Sequence, residues 1–150
     1  MEPVEIDPQT VQAAIVAEDL AALRKALENS PLAQCVGIEF TEFEAGRAVA
    51  VLRGSPDLVN FLGYSHTGAL FALAEQVMAA AANSLGHVGL PLDCKVRFLK
   101  GADPCQDVHA TARVVDTQGR IARVSVEVTQ GGVAIAQLNE TVFLRSGSKN

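Results

Sequence analysis

The sequence is short of cysteine, has no surplus of positive charge and contains no uninterrupted apolar run, and each shortage removes a class of function. Its 3 cysteines, Cys35, Cys94 and Cys105, are odd in number and show no close metal-ligand spacing. Neither a disulfide framework nor a zinc site is expected, and the three read as free thiols partly buried as small hydrophobes. The formal net charge of −5 argues against a nucleic-acid partner, since phosphate contacts need a concentrated basic face. Only Lys95, Arg97 and Lys100 cluster. No stretch offers the run of about 18 apolar residues that would span a bilayer, so no membrane role is expected. The start, Met1-Glu2-Pro3-Val4-Glu5-Ile6-Asp7, is acidic where a signal peptide would be basic, which makes a cytoplasmic location the expectation. Internal repeats and low-complexity segments are absent.

What is there is an ordinary globular composition, 49% apolar and 19% charged over 150 residues, the size of one domain spanning 1–150. The chain is organised around His66 to Ala82, a run of strong helix formers that is apolar on every side except at Glu75. A helix of that kind is normally buried all round. An ionised carboxylate inside it costs several kcal/mol or more unless it is paired, hydrogen-bonded or protonated, as is usual for buried charge. Glu75 is therefore the first functional lead. The structural alternative is a pair with Arg97 or with a hydroxyl of a partner chain.

Ahead of that stretch, Pro8 to Glu28 carries apolar residues at helical spacing, with Asp7 and Pro8 as its N-cap and first-turn pair. One amphipathic helix over 8–29 is expected, ended at Asn29-Ser30 because the residue before Pro31 is driven out of the helical region. Leu32 to Val36 then leads into a sheet. A hairpin follows, from Ile38 to Arg53 around Ala45-Gly46, with its alternation slipping near Thr41. Leu58 to Ser65 reads as a loop feeding the central helix. Beyond the helix come four β-rich segments, Leu92–Leu99, Val108–Asp116, Ile121–Gln130 and Val133–Arg145. Pro91 is expected to precede the first of them, and glycine turns join the last three. The tail Ser146 to Asn150 is polar and expected to be loose. The order predicts an α+β fold in which an antiparallel sheet of about six strands wraps a long central helix. One sheet covers only one side of a helix, so the rest should meet the N-terminal helix, a partner chain, or both. A homo-oligomer is expected, a dimer or a dimer of dimers.

Three polar features converge on the helix: Asn60, the start His66-Thr67-Gly68, and Glu75. The first turn of a helix has backbone N–H groups without intrahelical partners, and with the macrodipole these suit an anion or a carbonyl oxygen gaining negative charge. Gly68 allows close approach. His66 reads more simply as a residue that orders the loop through a backbone hydrogen bond. Glu75 lies eight residues beyond Thr67, about 12 Å along the axis at about 1.5 Å per residue. One carbonyl cannot touch both in one chain, so joint action requires two antiparallel helices from different protomers.

The pattern Asn60-x5-His66-Thr67-Gly68-x6-Glu75, followed by four antiparallel strands, resembles the hot-dog-fold acyl-CoA thioesterases of the PaaI-like group over residues 32–145. That resemblance implies a hot-dog core at 32–145 and hydrolysis of an acyl-CoA thioester without metal or other cofactor. It assigns the backbone oxyanion donor to Thr67, the general base or nucleophile to Glu75 of the opposite subunit, and the orientation of water or of the helix start to Asn60. Lys95, Arg97 and Lys100 would then meet the coenzyme A phosphates, or else form a solvated strand face. Thr67 stands where the family usually has a first glycine, and Pro91 where many relatives place Ser or Thr. A non-catalytic acyl-CoA-binding protein on the same fold is the alternative reading.

Overall fold

The computed structural model describes residues 5–146, so the tail expected to be loose falls, from position 147 onward, outside the described residues. Ten elements follow in order: α1 (Pro8–Val16), α2 (Leu20–Glu28), α3 (Pro31–Val36), β1 (Ile38–Glu44), β2 (Arg47–Leu52), α4 (Thr67–Asn83), β3 (Val88–Phe98), β4 (Val108–Gln118), β5 (Ile121–Gln130) and β6 (Val133–Arg145), with one 3-10 turn at Pro56–Leu58 before α4. The six strands form one antiparallel sheet in the order β1-β2-β4-β5-β6-β3, and α4 lies across its β2, β4 and β5 portion. This is the hot-dog architecture expected.

Small residues let helix and sheet approach closely. Ala69, Ala74, Ala80, Ala81 and Ala82 of α4 face inward with Leu70, Leu73, Val77 and Met78. The sheet answers with Ala48, Ala50, Ala110, Ala112 and Ala122 among Val124, Val126, Val128 and Leu138. The hairpin β1–β2 turns at Gly46, whose φ of +76 strongly favours a residue without a Cβ. Its register shifts between Phe40 and Glu42, where the alternation slips in the sequence. Gly131 and Gly132, with φ of +58 and +77, close β5 onto β6.

Four expectations need correction. The N-terminal helix is two helices: Ala17 ends α1, Glu18 takes a left-handed φ of +54, and the Asp19 side chain caps α2 by accepting the Ala22 N–H at 3.0 Å. The break lets Ile15 and Leu23 meet Val88 in a second small core. The lead-in at 32–36 is itself helical, started by Pro31 and stopped by Gly37 at φ +82. Pro91 lies within β3 rather than ahead of it. It is tolerated because β3 is an edge strand and its register shifts between Pro91 and Asp93. Finally, α4 is not enclosed on all sides: Phe71, Glu75 and Ala79, at successive i, i+4 positions, form a partly open stripe.

Candidate active site

The loop 58–66 sets the start of α4. Asn60 organises it, its Oδ1 accepting the N–H groups of Leu62 at 2.9 Å and Tyr64 at 3.1 Å while its backbone pairs with Tyr64 and Gly63. The loop is closed at its ends by the His66 N–H donating to the Leu58 carbonyl and pinned from outside by the Ser65 N–H donating to the Ala102 carbonyl. His66 is the N-cap of α4, and its Nδ1 accepts the Gly68 N–H at 2.9 Å. A Cβ on Gly68 would lie 2.9 Å from that same nitrogen, so the cap and the glycine require each other. Among the described residues, nothing accepts the Thr67 N–H. Of the two backbone donors expected at this helix start, one is thus engaged by His66 and the other is free.

Thr67 opens onto a cleft of 320 Å³ shared with Asn60, Tyr64, Phe98 and Lys100. The structure therefore gathers Asn60, Thr67 and Lys100 at one place. Lys95 and Arg97 stand elsewhere, exposed on β3, alternating with Cys94 and Val96, which pack toward the core. Among the described residues no ion pair reaches Glu75, and Arg97 is not its partner. Cys35 and Cys105 are exposed rather than partly buried, while Cys94 is half-buried.

Glu75 sits midway along α4, half-buried, with its carboxyl within hydrogen-bonding reach of that of Glu140 on β6. Glu140 is not among the residues that the sequence pattern singles out. It is 4% exposed and belongs to the inward row Leu138, Glu140, Val142, Leu144, where its neighbours on either side are Cys94 of β3 and Val124 of β5. Burial pushes its carboxyl up to about 8, helped by the Glu75 charge and by the shared hydrogen bond. The Glu75 carboxyl is also raised by burial, against which the hydrogen bond from Glu140 acts. Burial, and then the charges of Glu140, Glu75 and Asp93, raise the Cys94 thiol. A signal for Glu140 is present in the sequence all the same: an acidic residue on the apolar parity of a strand.

A six-stranded sheet lies against one long helix that carries a free N–H at its start and a half-buried carboxyl midway, and the comparisons give the class of protein built on this frame. The Thioesterase superfamily profile matches residues 62–136, which include α4 with Glu75, the strands β3 to β5 and the first residues of β6. The chain belongs to the thioesterase superfamily and is a thioester hydrolase. It is 31% identical over 123 residues to the acyl-coenzyme A thioesterase PaaI of Escherichia coli K12, covering 82% of this chain and 84% of that protein. In structure it is similar to the TT0310 protein of Thermus thermophilus, with a TM-score of 0.73 and 29% identity over 77% of this chain and 97% of the other. It also shares its fold with the E. coli PaaI protein from the phenylacetic acid degradation operon, at a TM-score of 0.81 and 22% identity over 89% and 98% of the two chains.

Proposed function

We propose that the protein is an acyl-CoA thioesterase whose site is completed across a subunit interface. The single observation that carries this reading is the separation, along one helix, of the free Thr67 N–H from the Glu75 carboxylate. Eight residues at about 1.5 Å each put them about 12 Å apart, too far for one thioester carbonyl. A second copy of α4, antiparallel to the first, brings the Glu75 of one protomer to the Thr67 of the other. The open stripe Phe71, Glu75, Ala79 and the exposed edge of β3 offer the surface such a pairing needs.

In this arrangement the thioester oxygen accepts the Thr67 N–H, where the helix dipole favours the charge that develops as the carbonyl carbon is attacked. Glu75 either takes a proton from the attacking water or attacks the carbon itself; the two routes use the same oxygen position. The coenzyme A thiolate leaves and is protonated; the first route releases the free acid directly, and the second leaves a mixed anhydride on Glu75 that water hydrolyses to the acid and the regenerated carboxylate. Asn60 holds the 58–66 loop and so the direction of the Thr67 N–H. Lys100, at the cleft, is the basic residue best placed for a coenzyme A phosphate, with Lys95 and Arg97 on the outer strand face as further contacts. The name of the E. coli relative supports the substrate class.

Turnover of short, medium, long and aromatic acyl-CoAs, with Glu75→Gln alongside, tests the assignment. Loss of a general base lowers kcat by about 10²- to 10⁴-fold. Equal activity of wild type and E75Q sinks it, and tight acyl-CoA binding without turnover by either points to a binding protein instead.

A further inference from the structure

Glu75 and Glu140 lie within hydrogen-bonding reach of each other between α4 and the sheet, and among the described residues no cation pairs with either. Glu140 projects from β6 in a row otherwise made of Leu138, Val142 and Leu144, and it is the only buried acidic residue among the described ones. Its strand neighbours, Cys94 and Val124, bring no positive charge. The titratable groups facing it are Glu75 from α4 and Cys94 from β3, with Asp93 next along that strand. None of the ion pairs among the described residues involves Glu75 or Glu140. Two carboxylates in contact in a low-dielectric setting cannot both ionise, so the pair holds one proton at neutral pH.

We propose that Glu140 is a positioning residue that keeps this proton: its carboxylic acid O–H donates to the Glu75 carboxylate, fixing the rotamer of Glu75 and holding it ionised for its task. The assignment of the proton follows from burial. Glu140 is sealed by β3, β5 and the helix, whereas Glu75 lies on the partly open stripe of α4 and reaches water or substrate. The group with more solvent carries the charge at lower cost. The directions of the two pKa shifts agree, since the shared hydrogen bond raises Glu140 and lowers Glu75. The donor is lost at high pH, when a second negative charge arises beside the first.

This inference rests on Glu75 being the active carboxylate, and its test separates the two ideas. Infrared difference spectra of the whole protein, recorded as pH rises, read the C=O stretch of a protonated carboxyl without any need for activity. A band that persists at neutral pH in wild type, fades near about pH 8 and is missing from Glu140→Gln is expected. Its absence from wild type at neutral pH, or its survival in E140Q, overturns the proposal. The kinetic arm uses E140Q, which still donates from an amide N–H, and Glu140→Leu, which does not. E140Q lowers kcat by less than about tenfold and abolishes the alkaline fall in rate, because it has no proton to lose. E140L moves the acid limb of kcat to higher pH, since the desolvated Glu75 carboxylate has lost its donor. pH profiles unchanged in both variants, with E75Q inactive, overturn the role of Glu140 alone; a fully active E75Q removes the functional reading beneath it. Where a variant fails to fold, the wild-type infrared titration decides.

Discussion

The His66 imidazole and the Gly68 amide close the first turn of α4 on each other, Nδ1 accepting the N–H at 2.9 Å in the space that a Cβ on residue 68 would need. Gly68→Ala therefore expels the imidazole. The helix gains about 0.8–1.0 kcal/mol of propensity and loses a cap of about 1 kcal/mol, so thermal stability changes little. The rate does not escape. The Thr67 N–H, the proposed oxyanion donor, is aimed by the same turn, and misdirecting such a donor is expected to lower kcat by about 10-fold, short of the 10²- to 10³-fold cost of removing one outright. Unfolding midpoints and kcat measured on one preparation check the split; an unchanged kcat separates the cap from the chemistry.

A charge on the open stripe of α4 tests the shared site. Phe71, 36% exposed, stands one turn before Glu75. Phe71→Asp leaves the protomer folded, because the side chain is outside the sealed core, but sets like charges against each other at the proposed two-fold interface. Sedimentation is expected to give the mass of one chain, and turnover to fall with it. A monomeric F71D variant with full activity contradicts a site built from two protomers.

Stability is expected to fall as pH rises. Glu140 has a folded pKa of about 8 against an ordinary value of 4.5, so between those values the folded chain binds more protons than the unfolded one. Its contribution is fully present below about pH 4.5, declines through the neutral range and levels off above about 8; Glu75, also raised, acts in the same direction. Thermal unfolding at a series of pH values measures this. Glu140→Gln, which has no ionisation to suppress, is expected to flatten the slope.

The break between α1 and α2 carries its own prediction. Asp19 accepts the Ala22 N–H at 3.0 Å as the cap of α2. Asp19→Ala is expected to cost about 1 kcal/mol, the usual worth of such a cap, which shifts the midpoint by about 2–4 °C in a chain of this size. Activity is expected to be retained, since the Asp19 end of α2 lies beside Gly86, past the C-terminal end of α4 and at the opposite end of that helix from Thr67. A loss of activity at full stability contradicts that separation.

How legible the molecule is in its sequence depends on whether a residue breaks a pattern on its own or only in register with others. Glu75 stands out unaided, one carboxylate in a helix of Ala, Leu, Val and Met. The slip at Thr41 is equally local and matches the register shift of β1. Glu140 is different. Along β6, Asn139 and Thr141 are polar too, and the misplaced carboxylate emerges only once the inward parity of Leu138 and Val142 is fixed by β3 and β5. The break at Glu18 involves neither glycine nor proline, and the run of apolar residues continues through it at helical spacing. Its one local sign is Asp19, three residues before the amide it caps. Pro91 reads as a strand boundary until the sheet order puts β3 at an edge. The half-open flank of α4 belongs to the same category, because enclosure is a property of the layers around a helix and not of the helix itself.

The alanines that seat α4 on the sheet also constrain how such a protein can diversify. Ala74, Ala80 and Ala81 are fully buried, and Ala110, Ala112 and Ala122 across from them are equally so. Enlarging any one would lift the helix and drag Glu75 and the Thr67 amide together out of alignment, at a cost of about 1–3 kcal/mol for the overpacking alone. Inherited variation that alters which acid is released is thereby channelled away from this floor, toward the exposed Phe61 and Leu62 of the neighbouring loop and the rim of β3, where a new side chain changes the shape offered to a ligand without moving the two groups proposed to react.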